Sequence, residues 1–122
     1  MRSVTITLPL PNAKLHAHAS GHWYNKNKSV AKAKEEAMYT AMQVTKKTFL
    51  RATISYAFFV PDRIHRDESN LVQMCKPYVD GFVLAKLIAG DNWQRLHVVE
   101  GSVAVDAENP RVEITITDWE TK

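Results

Sequence analysis

Apolar residues alternate with polar ones in four parts of the chain, which is the pattern of a half-buried β-strand. The first part is short: Val4, Ile6 and Leu8 alternate with Ser and Thr, and Pro9 ends the run. Longer stretches with the same period predict three more strands, at about 48–60, 95–105 and 111–117.

Two other stretches have the period of an amphipathic helix. The first is predicted to begin with Ser29 as its N-cap and to end near Lys46. The second covers about 68–87, where Pro77 should kink the helix and Gly90 should end it. Residues 11–28 are polar and show no clear period, so they are expected to form a long loop, of a length at which loops tend to be functional.

The predicted order is therefore β-α-β-α-β-β. It indicates a single α+β domain over residues 1–122, with two helices packed on one face of a mixed sheet. No apolar run approaches the roughly 18 residues of a membrane span, and no signal peptide is expected. The single cysteine, Cys75, excludes an internal disulfide, fits a reducing cytoplasm, and is expected to be buried in the second helix.

Charge is distributed unevenly along the chain. Residues 1–66 contain eleven Lys and Arg against three acidic residues, a balance of +8, whereas residues 67–122 contain five against ten, a balance of −5. A basic half beside an acidic half suits a phosphate-binding surface next to a cation-binding site, although an uneven distribution also arises by accident in a small basic protein.

Acidic residues surround the second predicted helix. Asp67 directly precedes it, Ser69, Lys76 and Asp80 fall close to one of its faces, and Asp91 follows its end. If Asp67 and Asp91 converge, their oxygens suit Mg²⁺ or Mn²⁺, and a nearby lysine would neutralise a phosphate. The alternative is that Asp67 is a helix N-cap, Asp80 a surface residue and Asp91 a turn residue.

The same region resembles the RusA family of phage and prophage Holliday-junction resolvases. The resemblance rests on Arg-Asp-Glu-Ser-Asn-Leu at 66–71, Lys-Pro-Tyr-Val-Asp-Gly at 76–81, Gly-Asp-Asn-Trp at 90–93 and Asn-Pro-Arg-Val-Glu-Ile at 109–114. The family typically has R-D-x-D-N-L, then Lys-Pro-x-x-Asp-Gly, then an Asp-Asp pair, in this order. The likeness covers nearly the whole chain, and its strength lies in the ordered set of motifs.

This resemblance implies a set of site residues. Asp67 and Asp91 match the family's metal-binding carboxylates, Lys76 its essential lysine, and Asp80 a supporting helix acid. Two positions depart from the pattern: Ser69 stands where most members have a second Asp, and Gly90 replaces the first Asp of the pair. Ser69 is a weak neutral ligand, so metal affinity is expected to fall.

Basic and aromatic residues in the first half are the expected contacts to DNA. They are His22, Trp23, Lys26, Lys28, Lys32, Arg63 and Arg66. His16, His18 and His22 alternatively form a H-x-H-x3-H zinc motif, but no cysteine lies nearby. His65 and His97 are expected to be structural, and Trp93 and Trp119 to pack rather than stack on bases.

Together these features predict a homodimeric, Mg²⁺- or Mn²⁺-dependent endonuclease that nicks four-way DNA junctions in recombination and repair, because a two-fold substrate calls for two active sites. The resemblance places such an enzyme in the cytoplasm of a bacterial host, encoded by a phage or prophage. Two alternatives stay open: a junction-binding protein that has lost cleavage, and an unrelated α+β interaction domain.

Overall fold

The computed structural model describes residues 2–11, 23–44, 47–63 and 67–119. They form one α+β domain in the predicted order, with the second helix and the third strand each divided in two. The elements are β1 (Ser3–Leu8), α1 (Trp23–Val44), β2 (Ala52–Val60), α2 (Glu68–Met74), α3 (Lys76–Leu84), β3 (Leu96–Val98), β4 (Ser102–Val105) and β5 (Arg111–Asp118).

The strands form one mixed sheet with β2 near its centre. β5 lies antiparallel between β1 and β2, while β3 and β4 both pair in parallel with the other edge of β2. Alternate residues of β2 and β5 are buried, as the sequence period predicts. The buried face consists of Ala52, Ile54, Tyr56, Phe58, Val60, Val112, Ile114 and Ile116.

The helices pack on this buried face, and α1 crosses α3 at very short range. A Cβ atom on Gly81 would lie 2.3 Å from the carbonyl oxygen of Lys34 and 2.9 Å from the Cβ of Ala37. The crossing therefore requires glycine for close approach of the two backbones. Cys75 is fully buried beside it, as predicted.

The expected kink at Pro77 is confirmed as a break between α2 and α3 at Cys75, because proline near a helix start has no N–H to satisfy. The prediction that Gly90 ends the second helix is wrong. Lys86 has a left-handed φ of 62°, its N–H bonds the carbonyl of Val83, and the N–H of Leu87 bonds the carbonyl of Phe82. These bonds form a Schellman motif, which lets Leu87 turn into the core.

The predicted start of the first helix is also wrong. α1 begins at Trp23, so Ser29 lies inside the helix and does not cap it, and residues 23–28 are not loop. The polar residues 24–29 lack an apolar period but contain no Gly or Pro, and extending a formed helix costs far less than nucleating one. The rest of the predicted loop lies outside the described residues.

A one-residue bulge divides the third predicted strand. Ile54 pairs with Val98, whereas Ala57 pairs with Ser102, so one extra residue lies between β3 and β4. At this point a Cβ on Gly101 would lie 2.1 Å from the carbonyl oxygen of Tyr56. The second strand also starts later than predicted, at Ala52. Among the described helices, none is long and apolar enough to cross a membrane.

Candidate active site

Lys76, at the start of α3, contacts two other predicted site residues. The Lys76 Nζ atom donates to Oδ1 of Asp80 at 2.8 Å and to Oδ2 of Asp91. Lys76 and Asp80 are one helical turn apart on α3, which brings them onto the same face. Asp91 arrives from the loop after α3, 15 positions further along the chain than Lys76.

The loop that carries Asp91 is anchored by its own backbone. The side-chain oxygen of Asn92 accepts a hydrogen bond from the N–H of Gln94. The backbone carbonyl of Asn92 accepts from the N–H groups of Arg95 and Leu96. The carbonyl of Arg95 in turn accepts from the N–H of Ala52 at the start of β2. Asp91 is therefore held against α3 by a turn that is fixed to the sheet.

Asp67 and Ser69 form a second pair at the start of α2. Asp67 is the N-cap of this helix, and its Oδ1 atom accepts from the Ser69 N–H at 3.0 Å and from the Ser69 hydroxyl at 2.9 Å. The N-cap interpretation of Asp67 is thus confirmed. The interpretation of Asp80 and Asp91 as simple surface and turn residues is incomplete, because both bind Lys76.

The three-residue cluster of Lys76, Asp80 and Asp91 contains more negative than positive charge. The hydrogen bonds that Lys76 donates to Asp80 and Asp91 raise the pKa of Lys76, and the bond it donates to Asp91 lowers the pKa of that carboxyl group. At neutral pH the cluster holds one ammonium and two carboxylates, a net charge of −1. A DNA phosphate approaching it would meet repulsion unless a further cation were present.

The donor atoms around α2 and α3 suit a hard cation better than zinc, since they are carboxylate and hydroxyl oxygens. Within residues 2–11, 23–44, 47–63 and 67–119, no three His, Cys, Asp or Glu side chains are close enough to share one ion. Asp67, Asp80 and Asp91 therefore do not form a single three-carboxylate site. Any Mg²⁺ would rely on one or two carboxylates with water and phosphate oxygens, which is how this ion commonly binds.

A groove of about 450 Å³ lies beside the cluster, between α2–α3 and the edge of the sheet. Its walls are aliphatic side chains from both sides, and Tyr56 of β2 lies at its base. Lys76 and Asp91 both line it, together with Gln73. The sequence did not reveal this groove, because its lining comes from four elements, α2, α3, β2 and β3, and from the loop of Asp91, and their contact depends on the tertiary fold.

The predicted DNA-binding residues are only partly placed. Lys28 and Lys32 lie exposed on α1, and Arg63 is exposed just after β2. Trp23 and Lys26 lie in the first two turns of α1. His22 and Arg66 lie outside the described residues, as do His16, His18 and His65, so the zinc alternative stays a prediction.

The two tryptophans in the C-terminal half of the chain, Trp93 and Trp119, differ in how far they are packed. The prediction that Trp93 packs is wrong, since it is 78% exposed in the turn after Asp91. Trp119 does pack: its ring lies 4.3 Å from the Arg51 guanidinium and 5.4 Å from the His97 ring. His97 therefore has the structural contact expected of it.

No protein-family model matches this chain, and no curated protein resembles it at a significant level. The resemblance to the resolvase family thus rests on the ordered motifs alone.

Proposed function

We propose that this protein is a divalent-metal-dependent endonuclease that nicks four-way DNA junctions. The observation that carries the proposal is the contact of Lys76 with Asp80 and Asp91. The resemblance assigns all three residues to one active site, and they come from two motifs that the sequence keeps well apart.

The chemistry is hydrolysis of one phosphodiester bond. Water adds to phosphorus, one P–O bond to a sugar breaks, and the water's proton ends on the departing sugar oxygen. Lys76 acts as a fixed positive charge beside the phosphate and not as a base, because its two carboxylate partners keep it protonated at neutral pH. Asp80 holds the ammonium in place from one helical turn away.

Asp91 and the Asp67–Ser69 pair are the residues that would hold the metal ion. The ion would supply positive charge for the attacking water and for the pentacovalent phosphate. Lys76 would keep its contact with Asp80, so its ammonium stays fixed beside the residues that would hold the ion. The net negative charge of the cluster supports this requirement for a cation.

A junction-binding protein without cleavage is the second candidate. It is favoured by the hydrogen bonds that Asp67 already makes as an N-cap and by the lack of a three-ligand group among the described residues. The same basic residues of the first half would bind DNA in both cases. The two candidates differ only in whether the carboxylates take up a metal.

The deciding experiment is a cleavage assay on a synthetic four-way junction and on a duplex of the same sequence, with Mg²⁺, Mn²⁺ or EDTA. We expect paired nicks in the junction with either metal, and none with EDTA or in the duplex. Junction binding without nicking would select the second candidate. If the protein binds the junction no better than the duplex, both candidates fail.

A further inference from the structure

The groove beside the cluster combines two environments. Aliphatic side chains from α2, α3 and β3 form its walls, namely Val72, Val79, Leu96 and Val98. Polar groups of Gln73, Lys76 and Asp91 also line it. Leu96 and Val79 are buried, whereas Val98 is 53% exposed, so the groove deepens from an open mouth at Val98 toward Tyr56.

A ligand for this groove must have an apolar body and a polar or charged end. A cavity of about 450 Å³ is in the range of small-molecule sites and exceeds what one nucleobase needs. A nucleobase offers apolar faces to the aliphatic walls, and the Gln73 amide carries both a donor and an acceptor for a base edge. Its phosphate would remain outside, on the side of Lys76. A plain aliphatic ligand would leave the Gln73 amide without a matching atom.

We propose that this groove binds one unstacked nucleobase of the branched DNA strand, next to the phosphate that is to be cleaved. This inference rests on the proposed function. Bases at a branch point cost less to unstack than bases inside a continuous duplex, because the stack is interrupted on one side of them. A base in the groove would fix the adjacent phosphate beside Lys76, and would distinguish a junction from a continuous duplex.

The test combines a protein variant with a DNA variant. Val98→Phe places an aromatic ring at the open mouth of the groove. Because Val98 is half-exposed, the larger side chain fits there without displacing core residues. The matched control is Val105→Phe on β4, because Val105 is 51% exposed on the same sheet edge and does not line the groove. On the DNA side, the nucleotides that flank the branch are replaced one at a time by an abasic sugar.

Binding affinity is measured with Ca²⁺ in place of Mg²⁺, so that a cation is available to the cluster, and a denaturing gel checks that no strand is cut. With wild type and Val105→Phe, one abasic position should weaken junction binding about tenfold, the scale of losing one base contact. The Val98→Phe variant should bind the intact junction about tenfold more weakly than wild type does. The abasic substitution should not weaken its binding any further. All three proteins should bind the duplex equally. Val72→Phe, which narrows the groove from α2, should repeat the Val98→Phe result.

An abasic penalty that is equal in all variants would overturn the groove assignment. If wild type still nicks the junction in that case, the proposed function stands and only this inference fails. A wild-type protein that does not prefer the junction would end both.

Discussion

The core under α1 and the cluster around Lys76 are held together in opposite ways. The core consists of hydrophobic side chains, whose only polar groups are the Tyr56 and Tyr78 hydroxyls and the Cys75 thiol among the described residues, and it packs closely enough that Gly81 has no room for a methyl group. The cluster consists of ion pairs whose side chains are 37–59% exposed. Exposed pairs of this kind contribute only about 0–1 kcal/mol, so they can rearrange for a ligand without endangering the fold.

The largest effect is expected where the core is tightest. Gly81→Ala should lower the free energy of unfolding by at least about 2 kcal/mol, because its Cβ would overlap the Lys34 carbonyl and force the two helices apart. Gly90→Ala is the matched control: its Cβ would lie 3.6 Å from the nearest side-chain atoms, so the change should stay within about 0.5 kcal/mol. Urea unfolding monitored by circular dichroism measures both. Equal stability of the two variants would mean that α1 and α3 are further apart than the structure has them.

A substitution in the Lys76 cluster should have the opposite effect to one in the core: a large loss of activity and little loss of stability. Asp91→Asn keeps the shape but removes the charge that would hold the metal, so junction nicking should fall on the order of 100-fold, about 2.7 kcal/mol in the barrier. Junction binding should be unchanged or stronger, since repulsion of the phosphate is reduced. The control is Asp106→Asn, because the Asp106 carboxylate is about as exposed as that of Asp91 and also pairs with a cation, Arg111, away from the cluster. Comparable nicking by the two variants would remove Asp91 from the active site.

Sequence patterns predicted the core far better than the site. Alternation along β2 and β5 identified the buried face because every second residue of a strand faces the same way. The start of α1 was missed because residues 24–29 have no apolar period. The β3–β4 bulge depends on a close approach of Gly101 to Tyr56. The contact of Asp91 with Lys76 joins a loop to a helix, so no local period encodes it. Only the resemblance to a family placed these residues in one site.

A smaller effect is expected at the position where the chain departs from that family. The Ser69 hydroxyl lies 2.9 Å from Asp67, so Ser69→Asp would add a carboxylate beside an existing one. Half-maximal nicking should then need less Mg²⁺, by on the order of tenfold. The metal-free variant should melt lower than wild type because the carboxylates repel, and Mn²⁺ should raise its Tm by more than it raises that of wild type.

Ser69→Ala serves as the control for this change, since it removes the hydroxyl without adding a ligand. It should melt lower than wild type, and Mn²⁺ should raise its Tm by no more than it raises that of wild type. If Ser69→Asp responds to metal no more than Ser69→Ala does, Ser69 does not face a metal site, and the transfer of the family's ligands onto α2 is wrong.

The smallest expected effect is the pH dependence of the stability that the Lys76–Asp91 pair contributes to the fold. Because Lys76 lowers the pKa of Asp91 below its value of about 3.9 in an unfolded chain, the pair stabilises the fold above that value. This stabilisation is lost as the pH falls through the lowered pKa of the folded protein. Lys76 itself stays charged throughout the acid range, since its pKa is raised and its contribution disappears only in strong alkali.

Asp91→Asn should therefore be less stable than wild type at pH 7, by less than about 1 kcal/mol after allowing for solvent screening, and this deficit should shrink as the pH falls toward 2. Urea midpoints at pH 7, 4 and 2 measure the difference. Gly90→Ala again provides the contrast, because its difference from wild type should not change with pH. An Asp91→Asn deficit that is the same at pH 7 and pH 2 would show that the carboxylate is not held by Lys76 in solution. The ammonium would then have no fixed position beside the phosphate, and the electrostatic role proposed for it would lose its structural basis.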